Sequence, residues 1–188
     1  MKEQLFTQAQ TAYAFTDHPV TDAQLTELYD LVKYAPTPMN AQALRVAYVR
    51  TAEGKERLLP LLDEGNRAKS DSAAAVAILA YDTNFHEFLP EHFPAAPQAK
   101  DRFADAQRRE AAAKEIASIQ AGYYILAVRA LGLDAGPMGG FNKEGVDAEF
   151  LAGTSWKSLI LVNIGQVAPE GNKPRNPRLD AQRALSWH

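Results

Sequence analysis

Residues 114–141 read Lys-Glu-Ile-Ala-Ser-Ile-Gln-Ala-Gly-Tyr-Tyr-Ile-Leu-Ala-Val-Arg-Ala-Leu-Gly-Leu-Asp-Ala-Gly-Pro-Met-Gly-Gly-Phe, and the fold is read outward from them. Ile116, Ile119, Tyr123, Leu126 and Leu131 recur at helical spacing. From Tyr123 onward apolar side chains cover nearly every face, and Arg129 alone interrupts them. A helix with no polar face belongs inside a core. Gly132 stops it, because the residue past a helix end favours positive φ. Gly136-Pro137-Met138-Gly139-Gly140 then predicts a loop almost without side chains, whose backbone N–H groups can approach a flat ligand. Taken alone, a core helix followed by an ordinary turn is the simpler reading of this stretch.

Working toward the N-terminus, residues 100–114 are charged and alanine-rich and predict a solvated helix leading into the central one. Residues 84–100 carry Phe85, Phe88, Phe93 and three prolines, which marks an excursion from the sheet and a lid candidate. The run Ala-Ala-Ala-Val-Ala-Ile-Leu-Ala-Tyr at 73–81 predicts a buried strand. Residues 63–66 read as a turn, and 51–62 as a helix broken near Pro60. Residues 45–50 predict a strand. Thr21 or Asp22 caps a helix through Leu25, Leu28, Leu31 and Val32 that ends before Pro36. A short first helix is expected over residues 2–13.

Toward the C-terminus, a short helix is expected around 143–151, and Leu-Ile-Leu-Val-Asn-Ile within 156–165 gives the strongest strand. Residues 166–188 hold three prolines and form an arm, with a last short helix expected over 179–187. Strands separated by helical stretches predict one domain over residues 1–188, a sheet covered by helices on both faces. The polar arm is suited to wrapping a partner subunit, most simply in a homodimer.

The 188 residues are 46% apolar and 23% charged, enough to bury a full core without staples. With no cysteine, disulfide and thiolate chemistry are excluded. A net charge of −3 gives no general attraction to nucleic acid or to an anionic membrane. No apolar run reaches membrane-spanning length and the first residues lack a signal-peptide core, so a cytoplasmic protein is expected. His18, His86, His92 and His188 share no ligand spacing, and no metal site is expected.

Three groups of residues suit ligand binding. Lys173, Arg175 and Arg178 lie among prolines that hold the backbone extended, and fixed cations suit a phosphate; short charged clusters are more often solvated surface. Asn66 and Lys69 share a face if they lie on a helix, offering an amide and a cation to a ring edge. Thr37, Asn40 and Gln42, in a loop stiffened by Pro36 and Pro38, can hydrogen-bond a polyol or phosphate. Ordinary caps and turns account for each of the last two groups alone.

Together the segments 16–20, 36–40, 65–69, 130–141 and 156–165, in this order and spacing, resemble the FMN-dependent nitroreductase family over about residues 6–188. The likeness is strongest to the malonic semialdehyde reductase branch, whose product is 3-hydroxypropanoate. The resemblance implies an α+β, three-layer fold with a mixed central sheet flanked by helices, and an interlocked homodimer with two FMN sites. It implies that the loop holding Pro36, Thr37, Pro38, Met39, Asn40 and Gln42 reaches the flavin of the neighbouring subunit. Asn66 and Lys69 match residues at the pyrimidine edge. Pro137, Met138, Gly139 and Gly140 match the segment near flavin N5, and Lys173, Arg175 and Arg178 match the phosphate end.

The chain departs from the family at one motif. Where relatives carry Arg-Ser-x-Arg-x-Phe, it reads Gln10-Thr11-Ala12-Tyr13-Ala14-Phe15. Gln10 and Thr11 still offer hydrogen bonds, but both arginine charges are gone. Losing one charge-assisted bond weakens FMN binding by roughly tenfold or more unless another cation compensates. The resemblance implies an oxidoreductase in which NADH or NADPH reduces FMN and the flavin reduces a small acceptor, an aldehyde or a nitro or quinone compound. No catalytic side chain is expected beyond the cofactor site. The alternative is a flavin-binding protein without turnover.

Overall fold

The most apolar runs of the chain lie together at the centre of one sheet. In the computed structural model, which describes residues 1–188, the strands are β1 (Leu44–Val49), β2 (Ala75–Asp82), β3 (Asp134–Met138) and β4 (Trp156–Gly165), in spatial order β1-β2-β4-β3. Every residue of β2 is buried, as an apolar run covered on both faces requires. The helices are α1 (Asp22–Val32), α2 (Ala52–Leu58), α3 (Glu64–Ser72), α4 (Leu89–His92), α5 (Ala106–Ala130), α6 (Lys143–Phe150) and α7 (Ala181–Ala184). Thr21 caps α1 in a capping box with Gln24, and Pro60 lies in a tighter turn, Leu59–Leu61, just past α2.

Helices cover both faces, giving three layers. On one face Leu25, Leu28 and Val32 of α1 and Ile116, Tyr124 and Val128 of α5 pack on Leu79, Val162 and Ile164. On the other, Leu58, Leu62, Val146 and Leu151 pack on Val76, Ile78 and Leu161. This is the expected nitroreductase-like α+β architecture, with one correction. The four strands pair antiparallel throughout, not as a mixed sheet. The α5 connection does join two strands of like direction, β2 and β3, but β4 lies between them, so no parallel pair forms.

Four other expectations are corrected. Only Glu3–Thr7 of the expected first helix is helical; beyond it the chain runs beside β3, where the Ala12 N–H donates to the Ala135 carbonyl at 3.1 Å. Residues 64–66 begin α3 rather than forming a turn. The expected loop at 136–140 is strand as far as Met138. Pro137 is tolerated because β3 lies at the sheet edge, where a missing N–H leaves no neighbour unpaired. Gly136 lets residue 12 approach, since a Cβ there would lie 2.8 Å from the Ala12 carbonyl oxygen. Finally, α5 is not enclosed all round: Ile119 and Tyr123 face outward at 38% and 42% exposure.

The excursion over residues 84–100 is anchored rather than free, with Phe85 and Leu89 buried in the α1–α5 core beside Phe103. The arm is tied at its root by an antiparallel bridge between Phe15 and Val167, and from residue 172 onward it is exposed. No helix is long and apolar enough to cross a membrane.

Candidate functional site

Several separated segments meet around the outer edge of β3. Residues 9–15 lie along it, the arm crosses them, and α3 stands behind. The Tyr13 N–H donates to the Gly171 carbonyl at 2.8 Å, and Gly171 lies so close to this segment that a Cβ would sit 2.4 Å from the Ala14 carbonyl oxygen. These contacts close a cleft of about 400 Å³ lined by Gln10, Thr11, Tyr13, Lys173, Arg175 and Arg178, with Pro174 and Asn176. A smaller hollow of about 210 Å³, lined in part by Gln10, Thr11, Pro137, Arg129 and Arg178, adjoins these residues.

On α3, Asn66 and Lys69 share a face, as their three-residue spacing requires. Asn66 Nδ2 donates to the Gly140 carbonyl at 2.7 Å, which leaves the Asn66 amide oxygen as an acceptor. Gly140 lets Asp63 and Asn66 approach closely, since a Cβ would lie 2.4 Å from Asp63 Oδ2 and 2.7 Å from Asn66 Nδ2 and would push those side chains aside. Gly139 faces open space. The backbone N–H groups of Gly139 and Gly140 donate to no group of the chain.

Lys69 is 9% exposed, yet no carboxylate pairs with it. Its ammonium lies 5.1 Å from the centre of the Tyr13 ring, and that of Lys173 lies 4.0 Å from the same centre. Burial, and then repulsion from Lys173, hold the Lys69 pKa below the usual lysine value. Arg175 and Arg178 also lack a carboxylate partner within the chain. Arg175 Nη2 instead donates to the Thr7 and Ala9 carbonyls at 2.9 Å each, and Arg178 Nη1 donates to the Asn176 carbonyl at 2.7 Å. The arrangement is a basic cleft that includes Tyr13, with Lys69 near that ring and, on the same helix as Lys69, Asn66 holding a turn that carries two bare backbone N–H groups.

The loop at 36–42 is not brought to this cleft by its own chain. Pro38 and Met39 line a separate hollow with Phe103, Arg108, Ala112 and Ile116 of the α5 side. The residues of α5 near the basic cleft are Ile125 and Arg129. At 1.5 Å per residue these two groups are about 13–32 Å apart along one helix. Asn40 Nδ2 donates to the His92 carbonyl at 2.9 Å, and Gln42 accepts from Gln120 Nε2 at 2.9 Å. Thr37 Oγ1 is buried without a partner. Met39 and Asn40 have φ of 56° and 52°, a conformation that is uncommon for methionine. Such strain persists only where surroundings impose it.

Sequence reasoning did not assign Tyr13 or Asp63. Tyr13 stood out only as a position lacking the family's arginine, and nothing local links it to a lysine at the other end of the chain. Asp63 gives no signal beyond its place before α3.

Comparison with known proteins shows the family to which the chain belongs. A Streptomyces coelicolor protein provisionally named NADH dehydrogenase/NAD(P)H nitroreductase is 55% identical over 184 residues, covering 97% of this chain and 91% of that protein. A Leptothrix cholodnii protein of the same provisional name is 50% identical over 184 residues, covering 97% and 93%. A Bacillus subtilis nitroreductase structure superposes with a TM-score of 0.87 at 22% identity over 100% of this chain and 98% of that one. A nitroreductase from Exiguobacterium sibiricum, solved in complex with FMN, superposes with a TM-score of 0.84 at 18% identity over 98% and 96%. At those identities the structural likeness speaks for the fold alone. The sequence profile of the nitroreductase family matches residues 7–166, and with relatives this similar along nearly its whole length the chain belongs to that family.

Proposed function

We propose that this chain is an FMN-dependent NAD(P)H oxidoreductase, working as a homodimer, that delivers hydride to a small acceptor. One observation carries the reading: Lys69, a largely buried lysine whose ammonium pairs with no carboxylate, stands on the helix that also holds the bare Gly139–Gly140 turn through Asn66. Unpaired buried cations are costly unless an anion joins them. The donor set fits FMN. Lysines, arginines, Gln10 and Thr11 suit the phosphate and ribityl chain, while Asn66, Lys69, Met138, Gly139 and Gly140 suit the ring. The names of the Streptomyces and Leptothrix relatives and the FMN complex of the Exiguobacterium protein support the same assignment.

The chemistry supplied by bound FMN is a hydride relay, from NADH or NADPH to the acceptor in alternating half-reactions. The protein's part is orientation and charge. Lys69 opposes negative charge that develops at the pyrimidine edge, a fixed cation whose orientation costs nothing at the moment of reaction. With FMN bound, the free Gly139 and Gly140 N–H groups would be available to donate to the ring. Asn66 is locked by its bond to Gly140, so its oxygen is preset as an acceptor.

The loop carrying Pro36, Thr37, Pro38, Met39, Asn40 and Gln42 completes the site from a second copy. Its distance from the basic cleft along α5, its strained backbone and the unpartnered Thr37 Oγ1 support that role, as do the outward-facing Ile119 and Tyr123. For the acceptor, the resemblance implies a small aldehyde such as malonic semialdehyde, or a nitro or quinone compound, and both classes are carried into the test.

The purified protein tests this. A yellow protein that releases FMN on boiling, elutes as a dimer and bleaches with NADH or NADPH under anaerobic conditions supports the reading. The compound that restores the band fastest, among malonic semialdehyde, a nitroaromatic and a quinone, identifies the acceptor class. A spectrum unchanged by either nucleotide favours the second reading, a flavin binder without turnover. The neutral Gln10 and Tyr13 at the positions of the family's arginines support that alternative.

A further inference from the structure

The hollow beside the 36–42 loop has a charged wall that the flavin reading leaves unused. It measures about 350 Å³ and is lined by Pro38 and Met39 of the loop and by the start of α5. Arg108, Ala111, Ala112 and Glu115 recur there at three- and four-residue spacing, so they share one face of the helix. Phe103 and Ile116, both buried, add apolar surface. The two alanines put no bulk between the charged ends of this face. Those ends are seven residues apart, about 10 Å along the axis, and they do not pair.

Arg108 is the uncommitted cation of this hollow. Its backbone N–H donates to the Asp105 cap, but its guanidinium makes no hydrogen bond and no ion pair within the chain. The neighbouring Arg109 is engaged, donating to the Thr83, Phe103 and Ala104 carbonyls. A guanidinium fork matches a carboxylate through two parallel N–H bonds. Glu115, exposed at the other end of the face, repels a carboxylate and so sets the direction in which an anionic acceptor lies. Resting on the reading that the 36–42 loop completes the flavin site of a second copy, we propose that Arg108 selects the acceptor by charge. The hollow takes small acceptors that carry a carboxylate, whichever group on them is reduced. Arg108 holds the acid end and leaves the reducible end for the ring that the Met39 loop approaches.

Pairs of compounds matched in shape separate charge from reactivity. Benzoate and benzamide, neither of which carries a nitro or aldehyde group, are titrated into the FMN-loaded protein and followed by the flavin absorbance band. Benzoate is expected to bind about tenfold or more tighter; Arg108→Gln is expected to erase that difference and Arg108→Lys to keep part of it. Glu115→Gln is expected to tighten benzoate by about twofold to fivefold. In turnover, the kcat/KM ratio of para-nitrobenzoate to para-nitrobenzamide, and of malonic semialdehyde to propanal, is expected to fall about tenfold or more in Arg108→Gln. FMN-loaded protein that is bleached by NADH or NADPH yet treats acid and neutral partner alike overturns this inference alone. So does a preference for the acid that survives Arg108→Gln, including the case in which the loss falls on the dinucleotide half-reaction and the guanidinium serves the dinucleotide phosphates. Weaker benzoate binding by Glu115→Gln overturns the placing of the acid end. Protein that binds no flavin overturns the flavin reading, and this inference with it.

Discussion

Two clefts of this molecule both contain cations, and they differ in how those cations are used. The larger, about 740 Å³, lies between α1, β1 and the 84–92 excursion and includes Arg45 and Arg50. Arg45 pairs with the buried Asp82 at 2.7 Å and Arg50 pairs with Asp22. The smaller, about 400 Å³, is lined in part by Tyr13, Lys173, Arg175 and Arg178, and neither these cations nor Lys69, 5.1 Å from the Tyr13 ring centre, pairs with a carboxylate. Volume alone would select the first. Unbalanced charge selects the second, because a paired cation is already satisfied and an unpaired, partly desolvated one is stabilised by an incoming anion. The cations of the first cleft therefore tie the fold together, and the second is the cleft we propose for an anionic ligand.

The sharpest way to break that contrast is to remove one cation from each side of it. Lys69→Met is expected to slow anaerobic reduction of bound FMN by NADH on the order of a hundredfold, with the FMN Kd rising by less than about tenfold. Stopped-flow absorbance and fluorescence titration measure the two quantities. Equal losses in both would remove the charge-stabilising role. Arg45→Ala is expected to do the opposite. The Asp82 carboxylate, 4% exposed, would keep only its bonds from the Asn84 N–H and Ser155 Oγ, so unfolding free energy should fall by about 3 kcal/mol. Urea unfolding of the apo protein checks this, and the FMN Kd of the folded variant should not change.

A smaller contrast divides the adjacent glycines. Gly140→Ala pushes a methyl group onto Asp63 and Asn66 and is expected to cost about 1–3 kcal/mol in stability. Gly139→Ala meets no atom within 4 Å, so its melting temperature should match the wild type. Its methyl group instead enters the open face where the ring is proposed to lie, and FMN affinity should fall. If Gly139→Ala binds FMN normally, the turn is structural and the ring lies elsewhere.

Much of this architecture is legible in the sequence because burial and periodicity are local signals. The runs at 73–81 and 156–165 announce central strands, and Thr21 or Asp22 announces the start of α1, where the structure uses Thr21. The pair Asn66 and Lys69 is legible as one helix face. β3 is not, because its Gly-Pro content reads as loop; what makes it strand is its edge position and the tight passage of residue 12, both tertiary facts. The end of the first helix is lost for the same reason, since β3 offers residues 8–13 a partner that helical propensity does not foresee. The Tyr13–Lys173 contact joins the two ends of the chain, and no spacing rule reaches that far. The 36–42 loop is read correctly as a polar, stiff segment, but its place relative to the basic cleft depends on where α5 carries each hollow.

The smallest expected effect tests the comparison through pH, and it has two opposite signs. The Lys69 pKa is lowered from 10.5, first by burial and then by Lys173. The unfolded chain therefore keeps this proton to higher pH than the folded apo chain. Between the lowered pKa and 10.5 the unfolded state binds more protons, so this lysine makes the apo protein more stable as pH rises through that window. FMN binding runs the other way. The bound anion favours the charged lysine, so affinity falls as pH rises through the same window, by less than about tenfold. Lys173→Gln removes the repulsion and should move the alkaline fall in affinity to higher pH, whatever it does to affinity at neutral pH. Titrations of FMN binding across the alkaline range, wild type against Lys173→Gln, read this directly. An alkaline edge that does not move would mean that Lys173 does not act on Lys69, and that the two cations around Tyr13 do not form one electrostatic unit.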